Sequence, residues 1–322
     1  MKWKDKLISS SFPLEYEAAK ILVKNHFMVD SDYTYSRSDL GTKKDFSVDI
    51  HATAYIPYTN DNEIDSEINI LIECKQRKKS VKWLFLPDPN KDDLSSFVLG
   101  RTINVTDEFS KQFIASNATI SLDKNTPLCY KGIEVDTNDG RVYDNELRHG
   151  LHQLQYALPR LLKDNIIHNI FAHAEDNVPF YTCSILLTTA TLHIANKTLT
   201  TIKVEDSSSI EDISKEVPYL ITYLGNGPDF KEHCKNEFQE LNEINLNNLT
   251  VNSISKFREN NGEYNHLLPE KLAKSLNQAR QSELNNYFTQ MIVCNINSFP
   301  NLIKEIKKIT SHATRNKKTY RH

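Results

Sequence analysis

From Leu14 to Phe27 the apolar residues Leu14, Ala18, Ile21 and Leu22 recur at three- and four-residue steps behind Ser10, Ser11 and Pro13. That spacing predicts a helix from about Pro13 to His26. The period then changes. Phe46, Val48 and Ile50 alternate with Ser47, Asp49 and His51, and the pattern runs on through Ala52, Ala54 and Ile56 to Pro57, which predicts a strand. After the polar stretch Tyr58 to Glu67, Ile68 to Cys74 is strand-like again, so the two strands are expected to form an antiparallel pair with a long polar turn.

Leu84 to Thr126 carries no assignable element. Asn145 to Lys163 repeats Leu147, Leu151, Leu154, Leu158 and Leu161 at helical spacing, with Pro159 as an expected kink, and Phe180 to Ile194 reads as one or two buried strands. Further on, Pro269 to Asn277 is helical, Tyr287 to Ile296 strand-like, Ile303 to Ile309 helical, and Thr310 to His322 an expected frayed tail. No internal repeat is visible. The order predicts an α/β fold, a mixed β-sheet flanked by α-helices, in a single domain over 1–322. Its core would be about 13–85, 145–200 and 286–310, with helical insertions at about 86–144 and 205–285.

Composition narrows the chemistry. With 39% hydrophobic and 25% charged residues the 322-residue chain can bury a sizeable core, and 39 basic against 42 acidic side chains leave a charge of -3. A polyanion partner must therefore be met by a local basic patch. None of the eight glycines falls in a phosphate-cradling GxGxxG or GxxxxGK[ST] spacing, which argues against a dinucleotide fold and a P-loop. Five scattered cysteines without a CxxC argue against a disulfide framework and a structural zinc site, and a cytoplasmic setting is expected. No signal peptide, membrane span, GxSxG serine site or recognisable cysteine nucleophile is read from the chain.

Alternate residues of an extended strand share a face, so Glu73 and Lys75 stand side by side while Ile72 and Cys74 point the other way. Asp49, flanked by Ser47 and His51, is expected opposite Glu73 across the hairpin, in an open cleft. Two carboxylates and a lysine on neighbouring strands suit metal-assisted phosphodiester hydrolysis. Asp49 and Glu73 would hold Mg²⁺, with Mn²⁺ as a substitute; the ion would polarise the scissile phosphate and acidify a water, and Lys75 would steady the developing charge.

The run Val48-Asp49-Ile50 followed by Leu71-Ile72-Glu73-Cys74-Lys75-Gln76 resembles the PD-(D/E)xK nuclease superfamily. Within it the pattern is closest to Mrr-like restriction endonucleases and Holliday-junction resolvases, which carry a further Glu on an N-terminal helix. The resemblance implies a restriction-endonuclease-like fold and assigns that Glu to Glu15, with Glu17 in reserve. Gln76 becomes a neighbour of the site. The pattern departs from the family before Asp49, where Lys43-Lys44-Asp45-Phe46 stands in place of a glycine-rich approach and a proline, and Asp45 is an alternative ligand. Gln153-Leu154-Gln155-Tyr156 is similar to the Gln/Tyr helix of RecB-like nucleases but one residue short, and Gln153 alone is carried over as a site neighbour.

Arg77, Lys78, Lys79 and Lys82 follow the Glu-x-Lys strand and are candidate DNA-binding residues, to be weighed against an edge of solvated charge. His149 and His152 share a helix face but lack a third zinc ligand, so a polar helix face is expected. His51 could reach a metal-bound water or be an ordinary strand histidine; Cys74 is expected in the core. Together these residues predict a Mg²⁺-dependent DNA endonuclease, of restriction or phage-defence type, with no membrane partner and with homodimerisation allowed for. The rivals are a structure-selective repair nuclease and a catalytically silent nuclease-fold module that only binds nucleic acid.

Overall fold

The apolar run Phe180–Thr188 forms a strand buried at every residue, as a strand must be when structure covers both faces of its sheet. Around it the computed structural model, which describes residues 2–39, 42–59, 63–90, 94–114, 120–242, 248–262, 268–277 and 287–319, builds a twelve-stranded mixed sheet. In chain order the strands are β1 (Met28–Asp39), β2 (Thr42–Ile56), β3 (Ser66–Lys75), β4 (Val81–Pro87), β5 (Ile103–Thr106), β6 (Gln112–Phe113), β7 (Leu128–Asp136) and β8 (Val142–Tyr143). They continue with β9 (Phe180–Thr188), β10 (Thr191–Ala195), β11 (Ser214–Val217), β12 (Tyr219–Tyr223), β13 (Gln290–Asn295) and β14 (Lys318–Thr319).

The main path runs β1-β2-β3-β9-β13-β12-β7-β4-β10-β11, with β5 added to β9 and β8 to β7, while β6 and β14 form a separate ladder. β2 runs antiparallel to both β1 and β3, and β9 lies parallel to both β3 and β13.

Helices cover both faces. On one side α4 (Asn145–Phe171) lays Leu154 and Leu158 into a core with Leu71 and Leu186. On the other, α2 (Phe12–Lys24) and α10 (Phe299–Arg315) pack Leu14, Ala18, Leu22 and Ile306 with Ile70, Ile72, Ile185 and Ile292. Each apolar side chain so buried contributes about 1.5–3 kcal/mol. Among the buried residues of β3 Glu73 is the carboxylate, only 2% exposed, and its cost must be met by specific partners. The remaining helices are α1 (Lys2–Ser9), α3 (Ile120–Asn125), α5 (Thr201–Glu205), α6 (Ile210–Ile213), α7 (Pro228–Phe238), α8 (Leu249–Asn260) and α9 (Pro269–Asn277). No helix among the described residues is long and apolar enough to cross a membrane.

The α/β class and the β2–β3 pair agree with the sequence reading. Several boundaries do not. β1 was not expected, because Met28-Val29-Asp30-Ser31-Asp32-Tyr33 is polar, as suits a strand at the sheet edge. The segments 86–144 and 205–285 are not merely helical insertions. The first contributes β7, which lies between β12 and β4, and the second contributes β11 and β12. β7 is masked in the sequence by Lys131 and Glu134, the latter a fully buried charge. α4 continues through Pro159 to Phe171. The expected frayed tail is helical to Arg315, then pairs Lys318 and Thr319 with Phe113 and Gln112; residues 320–322 lie outside the described ones.

Candidate active site

The β2–β3 ladder runs from Ile56↔Ser66 to Ile50↔Ile72 and stops there. At the next position the Asp49 side chain replaces the main chain: its Oδ2 accepts the Cys74 amide at 2.7 Å. β2 turns over at this point. Val48 packs in the α4-side core and Ile50 in the opposite one, although residues two apart in a regular strand share a face. Opposite, β1 pairs Ser31 with Ile50 and Tyr33 with Val48, and between them Asp32 adopts a left-handed φ of 55°, a conformation that Asp tolerates better than most residues. The hairpin is thus opened where the carboxylates lie.

Glu73 faces α4. Its Oε1 accepts the Lys75 ammonium at 2.8 Å, and its Oε2 is buried without a partner. Lys75 Nζ also donates to Gln153 Oε1 at 3.0 Å, and Gln153 Nε2 donates to the Ser47 carbonyl at 3.0 Å. α4 comes this close because residue 150 is glycine: a Cβ there would stand 2.5 Å from Leu186 Cδ1 and 3.1 Å from Lys75 Cε.

Glu15 joins from α2, whose inner face is Leu14, Ala18 and Leu22. Burial, then the Asp49 and Asp32 charges, push its carboxyl up to about 7 against the pull of Lys75. Burial raises Asp49 too, opposed by the Cys74 amide and Lys75. Glu73 is pushed up to about 8 by burial and by Asp49. Three carboxylates from α2, β2 and β3 therefore share the influence of the Lys75 ammonium, and the Asp49 charge makes both Glu15 and Glu73 resist ionisation.

Glu17 points outward and is exposed, leaving Glu15 as the helix carboxylate beside Asp49. Gln76 contributes through its backbone: its amide donates to Ser11 Oγ at 3.1 Å and ties the end of β3 to the start of α2. Asp45 is remote, bonded to Ser36 on an exposed surface. His51 does not reach Asp49; it bonds Asn69 Oδ1 at 2.9 Å and packs on Tyr33. Cys74 is buried. The expected open cleft needs correction as well. Solvent reaches Glu15, Asp49 and Lys75, but Glu73 is sealed by α4.

Two of the four candidate DNA-binding cations are engaged elsewhere. Arg77 pairs with fully buried Glu134, Nε to Oε2 at 2.9 Å, and donates to the Tyr143 hydroxyl. Glu134 Oε1 accepts the amides of Glu146 and Leu147, and its Oε2 accepts Trp83 Nε1. It thereby caps the first turn of α4, where an anion is favoured. Lys82 pairs with Glu211. Lys78 and Lys79 are exposed and, with Arg141, line a cavity of about 910 Å³ beside Gln76 that also receives Asp5, Asp136 and Asp139.

Comparison with family models, with curated proteins and with solved structures gives no match. The reading of the site therefore stands on its own geometry. Among the described residues no three His, Cys, Asp or Glu side chains form a ready-made metal-ligand set. The donors nevertheless suit a hard cation that retains several waters and takes one or two protein carboxylates. The buried, partnerless Glu73 Oε2 next to Asp49 is the atom such an ion would satisfy.

Sequence reasoning missed Asp32, Glu134 and Gly150. Asp32 and Glu134 lie in strands too polar to be recognised, and Gly150 carries no signal apart from the packing around it.

Proposed function

We propose that the protein is a metal-dependent phosphodiester hydrolase acting on DNA, with Asp49 and Glu73 as the carboxylates that hold Mg²⁺ or Mn²⁺, Glu15 beside them, and Lys75 as the cationic group. The observation that carries this reading is the excess of carboxylate over ammonium at the opened end of the β2–β3 hairpin, where burial and the Asp49 charge raise the proton affinity of Glu15 and Glu73, burial and Asp32 raise that of Asp49, and Lys75 is the cation that opposes all three. Such a site is relieved by a cation. The bound ion would supply Lewis-acid polarisation of the phosphate and an activated water.

The chain's own groups do the rest. The Cys74 amide fixes Asp49. Gln153 and Glu73 fix the Lys75 ammonium, whose remaining proton can be offered to a phosphate oxygen. Lys78, Lys79 and Arg141 supply positive charge on the approach.

A second reading, a nuclease-like fold that binds nucleic acid without cutting it, is favoured by one observation. The Glu73–Lys75 pair is nearly buried, at 2% and 11% side-chain exposure, as a structural ion pair would be.

Incubation with supercoiled, linear and branched DNA, in Mg²⁺ and in EDTA, separates the two. Metal-dependent cleavage abolished by Asp49→Asn supports hydrolysis. Binding without cleavage in every metal supports the silent module.

A further inference from the structure

On the far side of Gln153 from Lys75 lies a cavity of about 290 Å³ walled by β1, β2 and the first turns of α4. The Arg37 guanidinium lies over two rings in it, 4.3 Å from the Phe46 centroid and 4.7 Å from that of Tyr156. Among the described residues no carboxylate pairs with it. Arg148, His149 and His152 line the same space from successive turns of α4. The acid that lines the cavity, Asp144, pairs loosely with Arg148 at 3.9 Å, and Asp229 is engaged by the Tyr156 hydroxyl. Tyr35, fully buried, also lines the cavity, and its hydroxyl has no hydrogen-bond partner.

Donors outnumber acids in this set. A guanidinium offers several donors in a planar fork and accepts nothing. The phenol and the two imidazoles add donors; burial and Arg37 disfavour a proton on both histidines, with Lys75 adding to this at His149 and Arg148 at His152, against the weaker pull of Glu146 and Asp229. A buried donor left unmade costs free energy that a matching acceptor restores. Tetrahedral oxyanions match such a fork, and charge-assisted Arg–phosphate bonds are among the stronger ones. Gln153 is both a wall of the cavity and a ligand of the Lys75 ammonium, so cavity and site are one side chain apart.

We propose that this cavity binds a phosphate group of the substrate strand neighbouring the scissile one, held by Arg37 with Tyr35 and Arg148. The proposal rests on the phosphodiesterase reading. It gives the site a second contact on one strand, in a cavity separate from the one that Lys78 and Lys79 line, and so a polarity along the strand.

The test uses the full chain without metal, titrated by calorimetry with inorganic phosphate and then with a short single-stranded oligonucleotide in competition. Phosphate should bind, the oligonucleotide should displace it, and Arg37→Ala should weaken both by about tenfold or more. Because Arg37 also packs on two rings, Arg148→Ala, a change at a 68% exposed side chain, and Tyr35→Phe provide independent variants that should weaken phosphate binding with the fold intact. Lys235→Ala, at an exposed side chain of α7, should bind as wild type. Undiminished binding in all three site variants, or no binding by wild type, overturns the proposal. Phosphate that the oligonucleotide cannot displace overturns the strand assignment in favour of a free anion. DNA cleavage by a protein that binds no phosphate sinks this subsite alone. Displaceable phosphate without cleavage of any nucleic acid sinks the phosphodiesterase reading and leaves the anion site standing.

Discussion

The Gln153 side chain receives the Lys75 ammonium at 3.0 Å through its oxygen and holds the Ser47 carbonyl through its nitrogen. One amide on α4 therefore spans the gap where β2 has left β3. On the proposed hydrolysis, Gln153 would position Lys75. Gln153→Ala should lower kcat by about 10- to 100-fold, the usual cost of removing a group that orients a ligand or charge, with KM for DNA nearly unchanged. Steady-state kinetics at saturating DNA reads the split; a rise in KM alone would show that Gln153 only touches substrate.

Gly150 sets the distance of α4 from the site. Gly150→Ala places a methyl against Leu186 Cδ1 and close to Lys75 Cε, and overpacking of this kind costs about 1–3 kcal/mol. Urea unfolding should show that loss. Leu186→Ala in the Gly150→Ala background should recover activity more than stability, because it frees space beneath the helix while opening a cavity elsewhere.

Arg77 and its neighbours should behave in opposite ways. Glu134→Ala leaves Arg77 without its buried partner and α4 without its cap, and should cost about 3–5 kcal/mol. Lys78→Ala with Lys79→Ala should leave stability unchanged and reduce the salt dependence of DNA binding by up to about 0.9 per charge in log–log slope. Fluorescence anisotropy across salt concentrations measures the latter. An unchanged slope would assign both lysines to a solvated edge.

The carboxylate cluster makes stability depend on pH. Glu73 is raised from 4.5 to about 8 in the fold, so between those values the folded state holds a proton that the unfolded chain has lost. Its contribution is present in full below pH 4.5 and is lost as pH rises through 8. Glu15, raised to about 7, acts in the same sense. Thermal melts of metal-free protein should therefore fall from pH 5 to pH 9. Glu73→Gln should flatten that fall, and Mg²⁺ should oppose it at pH 8 in the wild type, since a ligand of the folded state stabilises it. A melt that rises over this range would contradict the assignment.

Local periodicity was enough for α2, β2 and most of α4, whose burial repeats at the period of their backbone, while β3 and β9, buried almost throughout, show as short apolar runs. Alternation also placed Glu73 and Lys75 on one face and Cys74 on the other. It could not place Asp49. Burial alternates without a break through Val48, Ile50 and Ala52, yet Val48 and Ile50 enter opposite cores beside a left-handed Asp32, so alternation alone does not tell on which side of the sheet Asp49 lies. Nor could it show that Glu73 is sealed, since its lid is Gly150, separated by 77 residues and visible only once α4 is laid on the sheet. The same limit hid β7, whose buried Glu134 looks like a surface charge until Arg77, Trp83 and the α4 amides gather around it. Residue types and local order are written along the chain; partners that compensate a buried charge come from distant segments, and only the tertiary structure brings them together.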